Sequence, residues 1–228
     1  MFIDIIFPKK NEKQFIKLAE KLNYSSLCFV YNFAPDIISK TQLLKELQKT
    51  TKINLFLGLQ SAQANIQKAK NLSNLVLVKS VPEQDQRVLE KLSPDIIFDL
   101  ELFPKKDPLN FRLSGLNQVL CNLAHKNKVA VAFSFSSILN SKNKPQLLGR
   151  IMQNITLCRK YKVKTIFASF AQNPLQMRSA HDLISLATVL GMHPSEAKSS
   201  LTNALNTIQQ NQKNKSPDYI SEDIEVIS

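Results

Sequence analysis

The stretch Leu116-Asn117-Gln118-Val119-Leu120-Cys121-Asn122-Leu123-Ala124, followed after four polar residues by Val129-Ala130-Val131-Ala132-Phe133-Ser134, decides the fold. In its first part Leu116, Val119, Leu120, Leu123 and Ala124 recur at helical spacing and share one face. Its second part is an almost unbroken apolar run rather than an alternation. Such a run marks a strand covered on both faces, as in a parallel sheet flanked by helices. A helix feeding directly into a doubly covered strand is one half-turn of a repeating α/β fold.

Working outward, the same signature recurs along the chain. Apolar runs at 2–7, 26–31, 53–59, 75–79, 95–99, 129–134 and 165–169 read as seven strands. Between them lie amphipathic stretches, such as Phe15, Leu18, Ala19 and Leu22, or Leu183, Leu186, Ala187 and Leu190. Pro145 suits the first turn of a helix, and Ser179 with Asp182 resembles a capping box. Gly191 fits a helix end, after which Pro194 opens a helix predicted to continue through Ile208. Seven βα units with a trailing helix fit a TIM-like (β/α) barrel, regular, incomplete or distorted. An open doubly wound sheet satisfies the same order of elements. The barrel domain is predicted over 1–209, and the polar run from Gln210 to Ser228 reads as a solvated, flexible C-terminal tail.

Charge narrows the function. Thirty Lys and Arg oppose eighteen Asp and Glu, a net +12. The last nineteen residues hold two lysines and four acids, so the body carries 28 basic and 14 acidic residues, or +14. An excess of this size attracts phosphate backbones, with affinity falling steeply as salt rises. No apolar run approaches the roughly 18 residues that cross a bilayer. The N-terminus Met1-Phe2-Ile3-Asp4 lacks the features of a signal peptide, so a cytoplasmic protein with no membrane partner is expected. Cys28, Cys121 and Cys158 are far apart, form no C-x-x-C pair and read as small buried thiols.

In a parallel barrel, chemistry sits on the loops that follow the strands. Those loops offer Lys9 and Lys10, Gln60 and Ser61, Lys79 and Ser80, then Glu101, Lys105, Lys106 and Arg112. Beyond them come Ser136, Ser137, Lys142 and Lys144, and finally Asn173 and Arg178. A metal hydrolase needs several His or carboxylate ligands on one cavity. The three histidines, His125, His181 and His193, fall on or beside helices, and no strand end carries a His-x-His pair. Asp4, Asp99 and Glu101 could hold Mg²⁺ if they met, although Asp4 reads better as a buried, hydrogen-bonded carboxylate. With Gly58, Gly115, Gly149 and Gly191 alone, no phosphate-cradling loop can be written. Ser136 lies in no nucleophile elbow. What remains is a basic rim rich in hydroxyl and amide donors, suited to RNA phosphates and 2′-hydroxyls. Lys49, Lys52, Lys91, Lys126, Lys128, Lys160, Lys162 and Lys164 decorate the opposite end as well. Tyr24, Tyr31 and Phe33 could stack on bases or fill the core.

Ser114-Gly115-Leu116-Asn117-Gln118-Val119-Leu120, followed by the strand to Ser134, resembles the central signature of the ribonuclease P protein component 3 family. This is an archaeal family related to a eukaryotic subunit of ribonucleases P and MRP. Further likenesses follow in order: Phe135-Ser136-Ser137-Ile138-Leu139, then Ala168-Ser169-Phe170-Ala171. Met177-Arg178-Ser179-Ala180-His181-Asp182-Leu183 and Leu190-Gly191-Met192 complete the set, which spans roughly residues 1 to 205. Ala180 departs from the family's usual proline, and Asp4 keeps an early Asp of the pattern without a neighbouring histidine.

The resemblance implies a barrel distantly similar to the polymerase and histidinol phosphatase superfamily, without its metal-binding histidines. It implies a subunit of a ribonucleoprotein endonuclease that removes 5′ leaders from precursor tRNA. The expected partners are RNase P RNA, a second small protein component and other subunits. Catalysis would belong to the RNA, with Mg²⁺ held there and no cofactor on this chain. Carried over residue by residue, Arg178 and then Arg112 are the leading candidates for RNA contact; the loops after the strands add Lys79, Lys105, Lys106, Lys142 and Lys144, and the first turn of a helix adds His181. A stand-alone metal-dependent phosphoesterase and a general RNA-binding scaffold are the alternatives.

Overall fold

The computed structural model describes residues 1–103, 106–216, 219–221 and 224–225. Seven strands form one sheet: β1 (Ile3–Ile6), β2 (Ser26–Asn32), β3 (Asn54–Gln60), β4 (Leu75–Lys79), β5 (Ile96–Phe98), β6 (Ala130–Ser134) and β7 (Thr165–Ala168). Their order in space is their order in sequence, and every neighbouring pair is parallel. A doubly wound sheet would break that order, so the open-sheet alternative is overturned.

The two edges meet. Ile6 bridges Ala171 in parallel, Phe170 N–H donates to Ile5 O at 2.8 Å, and Phe7 N–H donates to Ala171 O at 2.8 Å. Asp4 Oδ1 adds a side-chain clasp, accepting the Ser169 N–H at 2.7 Å across the seam. The sheet is thus a seven-stranded barrel, sealed where the eighth strand of a full (β/α)₈ fold would stand.

Alternate strand residues point inward. Ile3, Ile5, Cys28, Val30, Leu75, Leu77, Ile96, Ala130, Ala132, Ile166 and Ala168 form the barrel interior, while Phe29, Val76, Val78, Ile97, Val131, Phe133 and Phe167 pack against helices. This period of two explains why the strands read as continuous apolar runs. The interior is narrow: a Cβ at position 58 would lie 2.9 Å from Cys28 Sγ, so Gly58 lets the walls approach.

The outer layer comprises α1 (Glu12–Lys21), α2 (Ile37–Gln48), α3 (Ile66–Leu72), α4 (Asp85–Arg87) running into a π turn at Val88–Leu92, and α5 (Gln118–Lys126). It continues with α6 (Phe135–Asn140), α7 (Lys144–Lys160), α8 (Ala180–Val189), α9 (Pro194–Ser200) and α10 (Asn203–Asn214), and a small hairpin, β8 (Tyr219–Ser221) and β9 (Ile224–Glu225), follows. None of the described helices is long and apolar enough to cross a membrane.

Two expectations change here. The single helix from Pro194 through Ile208 is broken at Leu201-Thr202 into α9 and α10. The polar run from Gln210 begins inside α10 rather than after it. The physical reason is a plug. Ala204, Leu205 and Ile208 cap the N-terminal end of the barrel interior, which holds the helix in place despite its polar outer face. Asn203 Nδ2 donates to Thr165 O at 2.9 Å, Asn211 Nδ2 to Asn74 O at 3.1 Å and Lys215 Nζ to Ser73 O at 2.6 Å. The barrel is closed at this end and open at the other.

Candidate nucleic-acid interface and barrel mouth

The mouth, at the C-terminal ends of the strands, opens into a cavity of about 560 Å³. Three phenylalanines floor it. Phe98 and Phe170 have ring centroids 5.4 Å apart, and Phe7 lies 6.0 Å from Phe98 and 5.8 Å from Phe170. Phe98 closes β5, while Phe7 and Phe170 follow β1 and β7, so the triad caps the inward-facing column of the barrel.

Above this floor stands a polar wall. Asp99 accepts on both oxygens, from Lys79 Nζ at 3.3 Å and from Ser137 Oγ at 3.0 Å. Ser136 Oγ donates to Phe170 O at 2.9 Å and lies 3.1 Å from Ser134 Oγ, which accepts the Ser137 N–H. The serines therefore tie α6 to the seam instead of activating one another. On the facing wall Tyr31 OH donates to Glu12 Oε1 at 3.0 Å, and Lys40 Nζ sits 5.3 Å from the Tyr31 ring centroid.

Among the described residues no three His, Cys, Asp or Glu side chains gather as a metal-binding group. The reasons are visible. Asp4 is wholly buried at the seam, where its Oδ1 also takes the Ile5 N–H at 2.9 Å. Burial raises its pKa to about 6, and hydrogen bonds from Ser169 and Ile5 only partly offset that. Glu101 is also wholly buried, and neither carboxylate oxygen has a hydrogen-bond partner. Burial, with a smaller contribution from the Asp99 charge, raises its pKa to about 8. Glu101 is then mostly protonated at neutral pH, an interior acid and not a rim ligand.

The predicted cations meet different fates. Arg178 is half-buried: its Nη1 donates to Leu175 O at 2.9 Å and Met177 O at 2.7 Å, with the guanidinium carbon 5.3 Å from the Phe135 ring centroid. It braces the turn before α8, whose cap is the predicted Ser179 hydroxyl accepting the Asp182 N–H. Arg112 is exposed, yet its Nη1 donates to Gly149 O at 2.9 Å, and a Cβ at position 149 would stand 2.8 Å from its guanidinium carbon. Lys79 is spent partly on Asp99. Lys106, Lys142 and Lys144 are exposed. They gather around the first turn of α7, because Gln146 Nε2 donates to Asp107 Oδ2 at 3.1 Å. His181 is exposed, edge-on to Phe2 with centroids 6.2 Å apart. Lys105 lies outside the described residues.

Sequence reasoning missed Arg150. It is 4% exposed, and donates from Nη1 to Glu101 O at 3.1 Å and Phe103 O at 2.6 Å. Its Nη2 and Nε reach Asp107 Oδ1 at 2.8 and 3.1 Å. Burial would raise the Asp107 pKa, but hydrogen bonds from Arg150, the Leu113 N–H and Gln146 outweigh it and hold the carboxyl below its ordinary value. Asn154, one turn on, donates to Ser114 O at 2.9 Å. The Ser114-Gly115 motif is therefore a docking loop for α7. Gly115 has φ +82, and a Cβ there would fall on the Leu100 carbonyl, so only glycine fits. The signal was available: Arg150 and Asn154 lie on the same buried stripe as Leu147, Ile151, Ile155 and Cys158.

The closed end carries a second basic surface. Lys126 and Lys128 flank the turn between α5 and β6, and Lys160, Lys162 and Lys164 flank the next, between α7 and β7. His125 Nδ1 lies 2.9 Å from Lys162 O, drawing the two turns together. Beside them a cleft of about 420 Å³ is lined by Lys162, Lys164, Thr165, Ser199 and Asn203, with the Arg159–Glu196 ion pair (2.6 Å) at its edge.

Residues 1–216 match the family model described as RNase P subunit p30. Ribonuclease P protein component 3 of Methanosarcina barkeri is 26% identical over 224 residues, covering 94% of this chain and 88% of its own. The same component of Thermococcus kodakarensis is 30% identical over 171 residues, covering 73% and 74%. Among solved structures, a chain of archaeal ribonuclease P with mature tRNA superposes with a TM-score of 0.84 at 20% identity, covering 98% of both chains. Histidinol phosphate phosphatase of Lactococcus lactis, complexed with zinc, L-histidinol and phosphate, superposes at 0.61 with 11% identity, over 84% of this chain and 94% of its own. At these identities the two structures speak for the fold.

Proposed function

The chain belongs to the RNase P subunit p30 family, and from that premise we propose that it serves as an RNA-binding protein subunit of ribonuclease P. In this reading it helps a catalytic RNA remove 5′ leaders from precursor tRNA in the cytoplasm of an archaeal cell. Hydrolysis is carried by RNase P RNA and the Mg²⁺ ions it holds, and a second small protein component pairs with this chain.

The observation that carries the reading is the family match over 1–216, set beside a barrel mouth floored by Phe7, Phe98 and Phe170. Apolar rings stand at the strand ends, where a barrel enzyme of this architecture keeps its reacting groups. The same rings weigh against a stand-alone phosphoesterase. Charge supports RNA as the partner. Lys106, Lys142 and Lys144 on one side and the closed-end lysines on the other present cations to phosphates, which lowers the repulsion that a folded RNA must overcome. Arg178 and Arg112 act first on the fold and only through their remaining donors on RNA.

Reconstitution tests the reading. RNase P RNA with its other proteins is assayed on precursor tRNA at limiting Mg²⁺, with and without this chain. Adding the chain is expected to raise the rate of 5′ cleavage and lower the Mg²⁺ requirement. Equal rates in both mixtures would remove it from the enzyme.

A further inference from the structure

We propose that the mouth cavity is a binding site for a single nucleotide carrying one phosphate, its base lying against the phenylalanine floor and its phosphate reaching Lys40 and Lys79. The site lies apart from the outer basic surfaces proposed above for RNA contact.

Four observations meet there. First, the cavity volume of about 560 Å³ falls within the usual range for small-ligand sites, roughly 300 to 1,000 Å³. Second, its floor is aromatic and its rim amidic. A base can stack on rings of any identity, and Asn32, Gln60 and Gln172 supply the paired donors and acceptors that read base edges. Third, its cations have capacity left. An ammonium has three donors, and Lys79, 56% exposed, places one toward Asp99; Lys40 stands over the Tyr31 ring, two strands round the rim from Lys79.

Fourth, backbone strain is partitioned. Among the described residues, the non-glycine positions with positive φ are Lys10, Asn23, Ser93, Asp99, Lys128, Lys162 and Phe170. Asn23, Ser93, Lys128 and Lys162 directly follow helical turns, where a left-handed residue is an ordinary stop. Lys10 (φ 63), Asp99 (φ 63) and Phe170 (φ 50) have no such excuse; all follow strands at the mouth. A left-handed phenylalanine is costly, and strain of this kind persists where neighbouring structure enforces it and gathers at ligand sites. Here it turns the Phe170 ring into the floor and the Asp99 carboxylate toward Lys79.

The wall also sets the ligand's charge. Lys9, Lys40 and Lys79 face Asp36 and Asp99, an excess of only one positive charge. A phosphodiester matches that excess and a phosphate monoester, at about −1.5 to −2, exceeds it by at most about one charge, whereas a triphosphate brings further anions that the two carboxylates repel. The nucleotide comes either free in solution or as an unpaired residue extruded from an RNA.

The test titrates the full chain with AMP, UMP and ATP, and with two RNA hairpins that differ by one bulged nucleotide, following binding by calorimetry and NMR. AMP or UMP is expected to saturate, with ATP weaker. Lys40→Ala should weaken binding roughly tenfold, the scale of one charge-assisted hydrogen bond, and Gln60→Ala roughly threefold to tenfold, the scale of a neutral one. Lys68→Ala, exposed on α3 and outside the cavity, should not. If the bulged hairpin outbinds the paired one and both cavity variants erase the difference, the ligand is an RNA residue. If the monophosphates bind and the hairpins are indistinguishable, it is a free nucleotide. Circular dichroism confirms folding, and Lys40→Gln replaces any unfolded variant. Absence of saturation by every probe, or equal affinity in folded variants and the parent chain, overturns the site.

Discussion

Asp4 Oδ1 accepts the Ser169 N–H at 2.7 Å, joining the first strand to the last across 165 positions of sequence. This is a seam bond made by a side chain, placed where backbone pairing between β1 and β7 gives out. Because Asp4 is wholly buried with Oδ2 unpartnered, its charge is a liability while its acceptor is essential. Asn keeps the acceptor and drops the charge; Ala drops both. Asp4→Ala is expected to cost about 2 to 4 kcal/mol, since two buried N–H groups lose their partner. Asp4→Asn should cost far less at pH 7. Urea denaturation of the two variants against the parent checks this, and equal losses would refute the acceptor argument.

Glu101 gives a pH signature. Its folded pKa is raised to about 8 by burial, from an ordinary 4.5, so the folded chain holds this proton more tightly than the unfolded one. Stability from this group is complete below about pH 4.5 and declines as pH rises toward and past 8. Asp4, raised to about 6, acts in the same direction over a lower window, from 3.8 upward. Glu101→Gln should therefore flatten the fall in unfolding free energy between pH 6 and 8, leaving the Asp4 contribution below pH 6. A parent chain whose stability rises with pH across 6 to 8, with that rise abolished by Glu101→Gln, would reverse the assignment.

The strands were legible because each is covered on both faces, so Val131 and Ala132 are equally apolar although one faces helices and the other the interior. Closure was not legible, since it hangs on Asp4 meeting Ser169, a contact without sequence spacing. The helix over Gln210–Asn214 was hidden for a related reason: its outward residues are polar, and its order comes from Asn211 and Lys215 bonding the carbonyls of Asn74 and Ser73. At the candidate site, the engagement of the rim residues was not readable. Arg178 looks like a free cation until the carbonyls of Leu175 and Met177 are placed beside it. Arg150 carried a readable signal, a charge on an apolar stripe, yet it was missed.

Arg150 should be the fold's most sensitive cation. It holds Glu101 O, Phe103 O and Asp107 together, and Asp107 in turn accepts the Leu113 N–H at 2.8 Å. Arg150→Met removes a buried charged donor from all three groups and is expected to cost about 2 to 4 kcal/mol. Arg150→Lys, one point charge for a planar fork, should recover only part. Hydrogen exchange reads the local effect: amides of Leu113 and Ser114 should lose protection, while those of β2 and β3 keep theirs. Uniform loss throughout the barrel would mean that the loop does not open separately.

RNA contact separates the two basic regions by their salt dependence. Each phosphate neutralised contributes about 0.7 to 0.9 to the slope of log affinity against log salt, the lower figure for single strands. Lys162 and Lys164 share one cleft, so Lys162→Ala with Lys164→Ala should lower the slope for RNase P RNA by about 1.4 to 1.8 if both touch phosphate. Lys142→Ala with Lys144→Ala probes the first turn of α7 in the same way. Arg178→Ala should behave otherwise. Its guanidinium already serves two carbonyls and the Phe135 ring, so its loss is expected to lower the melting temperature more than the slope. Anisotropy titrations between 50 and 300 mM salt, with melts of the same samples, distinguish these effects. A slope unchanged in both lysine pairs but reduced by Arg178→Ala would move the RNA contact back to the turn before α8.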